Sequence, residues 1–303
     1  MRKIGTWLLL GLLRLLGLLP LCVHYALGRF VSWLVEDVFH YRRDVVEHNL
    51  ALCFPDKTDR ERTEIRKDFY RHFGEVVAEA VWFGACRGPK RLHRRRLVEM
   101  DNPELLAQLN ATSPGMIILA GHTGNWELIG GVASYCYADM PSPLDERNYC
   151  VVYRAISSRV WSDIMRDNRT APLPDRKHYE GYLESKEIVR YAYRHIDEKK
   201  VYGILTDQRP YFASPANLEV EFLGQRVHTM TGGAALARKF KMPVVYQTTR
   251  RDRRGHYTLH YTTLCEDASQ VSIEEIMKQY YTLLEKDIRE QPANSLWSHR
   301  RFV

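Results

Sequence analysis

No Cys-x-x-Cys pair occurs in the sequence, and no histidine stands at zinc-ligand spacing from a cysteine; Cys22, Cys53, Cys86, Cys136, Cys150 and Cys265 are scattered over 303 residues. That usage excludes a disulfide-stapled secreted domain and a zinc module, and it suits a reducing compartment. A His-Glu-x-x-His motif is missing too, so the expected site uses neither a metal nor a cofactor. Internal repeats, low-complexity tracts and linkers rich in Pro, Gly or Ser are lacking, which argues against a solenoid and against two tethered domains. The simplest expectation is an anchor over 1–30 and one domain over 31–303, helical over 31–110 and α/β over 111–303.

Unbroken apolar runs are scarce as well. The mean hydropathy is slightly negative, which excludes a multi-span membrane protein. The one long apolar stretch, IGTWLLLGLLRLLGLLPLCVHYALG at 4–28, has the length of a membrane span, about 20 residues, but Arg14 and Pro20 interrupt it. Arg2-Lys3 at its start imitates a secretory signal, yet Arg14 breaks the run where a signal needs it whole. The segment therefore reads as a retained anchor lying in or dipping into the interface, with Arg2, Lys3, Arg14 and Arg29 near anionic lipid; a buried core helix is the alternative.

Acidic residues are the minority charge. Against 37 Asp and Glu stand 44 Lys and Arg, a net charge of +7 that favours an anionic partner such as phospholipid, phosphorylated glycolipid, nucleic acid or an acidic carrier protein. The run KRLHRRR at 90–96 follows a Gly-Pro breaker and offers a docking surface for a carrier or membrane. Aromatic residues are not interleaved with it or with the basic stretch at 250–254, which argues against nucleic acid.

Apolar positions at helical spacing predict helices over 41–50 and 58–83, the latter through Ile65, Phe69, Phe73, Val76, Val77 and Ala80. From 115 onward short continuous apolar runs at 115–120, 149–153, 201–206 and 243–247 read as buried strands. They alternate with helical stretches at 126–135, 158–168, 185–196 and 232–240, and 250–255 reads as the turn of a hairpin entering 256–264. The fold class that follows is α/β, with a mainly parallel central sheet flanked by helices behind a helical front.

The strand 115–120 runs directly into Gly121-His122-Thr123-Gly124-Asn125-Trp126-Glu127, which places His122 in a strand-to-helix loop, where open α/β sheets put their ligand sites. On one continuous helix His122 and Glu127 would diverge, so a working pair needs the loop to fold back, and Gly121 and Gly124 permit that. Glu127 would then fix the imidazole tautomer and leave the other nitrogen to take a proton from an alcohol; a capped helix with a bystander histidine explains the same residues. Two further strand ends, at Arg154 and at Asp207-Gln208-Arg209, would crowd the same crevice if the sheet is parallel. Arg154 there clamps a phosphate or developing negative charge, and Asp207 pairs with an arginine or fixes geometry; structural ion pairs at the strand ends are the alternative.

At these residues the chain resembles the bacterial lipid A biosynthesis acyltransferases, the late acyltransferases of a lysophospholipid acyltransferase-like group that includes mycobacterial phosphatidylinositol mannoside acyltransferase. The resemblance covers nearly the whole chain and rests on GHTGNWEL at 121–128, VVYR at 151–154, ILTDQ at 204–208, EFLGQRVHTMTGGAALARKFKMPVV at 221–245 and LWSHRRF at 296–302. It implies His122 as catalytic base, Glu127 as its partner and Arg154 in the site, with Asp207 at a further family position; Asn125, Gln208 and Arg209 beside them are expected to bind substrate. It also implies an acyl thioester donor, on acyl carrier protein or as acyl-CoA, and a hydroxyl of a lipid A precursor as acceptor, at the cytoplasmic face of the inner membrane. The stretch 168–182, with Pro172, Pro174 and Arg176-Lys177-His178, departs from the family's pattern. Two readings compete with this one: an O-acyltransferase for a lysophospholipid, aminolipid or other glycolipid, and a non-enzymatic membrane-bound adaptor.

Overall fold

The computed structural model describes residues 2–135, 137, 143–210 and 218–302. Its front is helical: α1 (Arg2–Gly17), α2 (Leu21–Trp33), a π-helical turn at Leu34–Val38, α3 (Arg43–Cys53) and α4 (Asp59–Gly84). Pro20 sits at the N-cap of α2, where the amide hydrogen it lacks has no helical partner, so the chain turns there. The bend between the two apolar helices is 118°, and no single helix among the described residues is long and apolar enough to cross a membrane. α2 packs closely on α4: a Cβ on Gly28 would stand 2.6 Å from the carbonyl oxygen of Gly74. α4 starts at a capping box in which Thr58 Oγ1 accepts from the Glu61 amide and Glu61 accepts from the Thr58 amide.

α5 (Lys90–Arg95), β1 (Val98–Met100) and α6 (Pro103–Thr112) lead into the sheet. Its remaining strands are β2 (Met116–Ala120), β3 (Tyr149–Tyr153), β4 (Tyr182–Glu184), β5 (Val201–Leu205), β8 (Val244–Arg253) and β9 (His256–Cys265), while β6 (Glu219–Phe222) and β7 (Gln225–His228) form a separate hairpin. The strand order is β1-β9-β8-β2-β5-β3-β4, and every pairing is parallel except β8 with β9. The sheet is buried on both faces. Met116 and Ile118 of β2 join one core with Leu128 and Val132, while Ile117 and Leu119 join another with Phe69 of α4 and Tyr280 and Leu284 of α10 (Ile273–Glu290). α7 (Arg159–Arg169), α8 (Ile188–Arg194) and α9 (Gly232–Phe240) complete the cover.

Several elements differ from expectation. The helix over 126–135 is a 3-10 helix, Trp126–Ser134, and its adjacent Gly130 and Gly131 are poor α-formers. β8 runs six residues past 247, because its outer half pairs with β9 as an antiparallel ribbon whose polar alternation carries no continuous apolar run. Arg14 is not a lone charge on the apolar helix: it pairs with Asp167 of α7 at 2.8 Å. The five described cysteines are free, and Cys136 lies outside the described residues.

Candidate functional site

β2 and β5 lie side by side, with Ala120 opposite Leu205, so the residues two positions beyond each strand meet. Those residues are His122 and Asp207. The His122 amide donates to Asp207 Oδ2 at 3.0 Å, and its ring Nδ1 lies 2.6 Å from Asp207 Oδ1. Burial alone would raise the Asp207 carboxyl, but the imidazole and the two hydrogen bonds from His122 outweigh it and hold the carboxyl below its usual range. A carboxylate only accepts, so Nδ1 carries a proton, and in the neutral ring it is Nε2 that keeps a lone pair. Gln208 Nε2 stands 3.4 Å from that atom, the geometry of a weak donor to it.

Glycines make the approach possible. Gly121 passes so near Leu284 of α10 that a Cβ would come within 2.6 Å of its Cδ1, and Gly124 adopts φ +57°. The C-terminal segment closes over the loop: the Leu296 amide donates to the His122 carbonyl at 3.1 Å, and the Gly124 amide to the Asn294 carbonyl at 3.0 Å. His299, two positions after Trp297 of that segment, has its imidazole pushed down by burial, opposed by the nearby Asp207 charge.

The expected hydrogen bond from His122 to Glu127 does not form. Both Glu127 oxygens are taken by the fork of Arg169 at the end of α7, Nε to Oε2 at 3.0 Å and Nη2 to Oε1 at 2.9 Å, and the imidazole is oriented by Asp207 instead. Burial would weaken the Arg169 guanidinium, but the Glu127 charge and hydrogen bonds override it and push its pKa up. The partner of His122 therefore comes from a strand end 85 positions away rather than from the next turn of chain. Arg169 has no motif around it to mark it in the sequence.

Asn125 is buried and caps the 3-10 helix, its Oδ1 accepting from the Glu127 amide at 3.2 Å. Arg154 is exposed just past β3, which β5 separates from β2, and Arg209 is exposed two positions after Asp207. Within the basic run, Arg91 donates to the Gly17 carbonyl, the His93 ring contacts the Ser134 carbonyl and Arg96 packs over Tyr137, so only Lys90, Arg94 and Arg95 face solvent freely enough to count as exposed.

On the far side of Trp126 and Leu296, which both touch His122, lies a cavity of about 590 Å³, of the size that holds a drug-sized or lipid ligand. Leu10 and Leu13 of α1, Val77 and Ala80 of α4 and Trp161 of α7 line it, and at one end stand Trp126 and Leu296. These last two flank His122: the Trp126 ring meets the imidazole edge-on at 5.6 Å, and Leu296 bonds its carbonyl. Arg14, Asp167 and Glu127 are the charged residues on its wall. Among the described residues no group of three or more His, Cys, Asp or Glu is arranged to hold a metal ion.

An oriented imidazole at the strand ends of an α/β sheet, with its neighbours Trp126 and Leu296 lining an apolar groove, suits a protein that handles acyl chains. The chain matches the family model of the bacterial lipid A biosynthesis acyltransferase over residues 1–303 and belongs to that family; it is an acyltransferase. It is similar to the lipid A biosynthesis lauroyltransferase of Escherichia coli (strain K12), 26% identical over 313 residues that cover 98% of this chain and 90% of that protein. It is similar also to the lipid A biosynthesis palmitoleoyltransferase of the same organism, 23% identical with the same coverage. A lipid A biosynthesis acyltransferase of Haemophilus influenzae is 22% identical, over 98% of this chain and 89% of that protein.

Proposed function

We propose that the enzyme moves a fatty acyl group from an acyl thioester, carried by acyl carrier protein, to a hydroxyl of a lipid A precursor. The observation that carries this reading is the His122–Asp207 pair, whose imidazole contacts Trp126 and Leu296 of the apolar cavity's lining. The family membership and the acceptors named in its relatives support the rest. His122 Nε2 takes the proton of the acceptor hydroxyl, and the resulting oxygen attacks the thioester carbonyl. Asp207 holds the ring in the tautomer this needs and stabilises the imidazolium that forms. The tetrahedral intermediate then collapses, the C–S bond breaks, and the thiolate takes the proton from His122. No acyl-enzyme is required. The Gln208 amide, already beside Nε2, is placed to bind substrate oxygen.

Glu127 takes a different part from the one expected of it. Locked to Arg169 on the cavity wall, it fixes the start of the 3-10 helix and the groove end next to the imidazole. The acyl chain lies in the groove, and the exposed Lys90, Arg94 and Arg95 meet the acidic carrier. Arg154 and Arg209, both exposed, remain candidate contacts for anionic groups of the acceptor. The bent pair α1–α2 is read as an interfacial element at the cytoplasmic face of the inner membrane: Trp7, Leu8, Leu15, Phe30, Trp33 and Phe39 are all more than half exposed, as a surface buried in lipid would be.

The test is product mass after incubating purified protein with an acyl carrier thioester and either a lipid A precursor or a lysophospholipid. Acylation of the first supports the reading; acylation of the lysophospholipid alone replaces it.

A further inference from the structure

Three polar residues buried on α4 are not used by the chemistry above, yet two of them, His72 and Glu79, reach the loop that carries it. His72, Glu75 and Glu79 recur at three- and four-residue spacing on one stripe of the helix and are 3%, 5% and 0% exposed. The neighbouring stripe of the same helix, with Phe73, Val77 and Ala80, lines the groove. His72 Nε2 contacts the Gly124 carbonyl at 3.0 Å, and Glu75 pairs with Arg251 of β8.

Glu79 lies deepest. Asn125 Nδ2 donates to its Oε2 at 2.7 Å, the Tyr257 hydroxyl to the same oxygen at 2.8 Å, and the Tyr25 hydroxyl to Oε1 at 2.8 Å. The donors come from three elements: the His122 loop, β9 and α2. Removing a carboxylate wholly from water is costly unless hydrogen bonds replace the lost hydration, and burial does push this carboxyl up against the pull of those three donors. An apolar side chain would fill the space without that cost. What the carboxylate adds is a fixed Asn125: held by Glu79 through Nδ2, it aims Oδ1 at the Glu127 amide. The loop is thus pinned at Asn125 by Glu79 and at Gly124 by His72, three and two positions after His122.

We propose that Glu79 is a positioning residue for acyl transfer, which through Asn125 holds the His122 loop in register, so that its acceptor oxygen governs turnover and not the binding of the acyl donor. This rests on His122 being the base.

The experiment compares kcat and KM for an acyl carrier thioester in wild type, Glu79→Leu, Glu79→Gln, Asn125→Ala and His122→Ala, each checked by thermal melting. Glu79→Leu leaves three buried donors without an acceptor; kcat is expected to fall at least about tenfold with KM within about threefold, on the scale of a misplaced catalytic group. Glu79→Gln keeps an oxygen for Asn125 and Tyr257 while the Tyr25 hydroxyl turns to accept, so kcat should return to within about threefold of wild type, as hydroxyls both donate and accept. Asn125→Ala, which leaves Glu79 and both tyrosines in place, should reproduce the kcat loss, and it carries the test alone if Glu79→Leu does not fold. A folded Glu79→Leu or Asn125→Ala enzyme with wild-type kcat, or one changed only in KM or melting temperature, overturns the proposal. An active His122→Ala enzyme would instead overturn the reading on which it rests.

Discussion

At the scale of single residues, the account turns on which carboxylate serves His122. Asp207 makes two hydrogen bonds to His122, through ring and backbone, and Glu127 makes none because Arg169 occupies it. Asp207→Asn should therefore lower kcat more than Glu127→Gln does, since an amide can donate to Nδ1 and stabilise the wrong tautomer; in a serine-protease triad the same change costs about 10⁴. Steady-state rates of the two folded variants check this, and equal or reversed losses count against it. The pH dependence follows from the same contact. Asp207 has its carboxyl depressed in the folded protein, so its contribution to stability is complete above the ordinary carboxylate value, about 3.9, and is lost as pH falls through the depressed folded value. Acid melts of wild type and Asp207→Asn should accordingly differ at neutral pH and converge in strong acid. His122, Asp207 and Gln208 were legible as strand-end residues, because continuous apolar runs mark where buried strands stop. Their pairing was not: it joins positions 85 apart, and only the order of strands brings them together.

The elements show the same division between what periodicity reveals and what packing decides. α4 reads in sequence as one apolar stripe, but Phe69 enters the core whereas Phe73, Val77 and Ala80 face an open groove, a distinction that depends on α1 and α7 lying across it. Short elements escaped entirely: β4 has three residues, and the hairpin of β6 and β7 alternates exposed and buried positions over four residues each, too few to establish a period. The groove assignment makes a prediction at this scale. Ala80→Trp places a large ring in the cavity and should depress transfer of long acyl chains more than of short ones. Rates measured with a series of acyl carrier thioesters check it, and a uniform loss at every length would argue that the chain lies elsewhere.

Across the whole molecule, exposed apolar side chains are gathered at the front. The break at Pro20 divides the apolar stretch into two helices at 118°, packed on α4, with Trp7, Phe30 and Trp33 of the helices and Phe39 just beyond them exposed. The composition disclosed the apolar stretch, but Arg14 was misleading, since its partner Asp167 lies 153 positions away on α7. If these helices lie in the interface, replacing Phe30, Trp33 and Phe39 by serine should weaken co-sedimentation with anionic vesicles while leaving the fold intact. The net charge of +7 should also make wild-type binding fall as salt rises. Unchanged sedimentation of the triple variant would place the membrane contact on another face.

The measurement that bears most directly on the central claim is the rate of acyl transfer by folded His122→Ala, assayed with acyl carrier thioester and a hydroxylated lipid A precursor beside wild type. Loss of the base is predicted to reduce the rate by about 10²–10⁴ without unfolding the protein, and a folded variant that still transfers at the wild-type rate would contradict the assignment of His122 as the base.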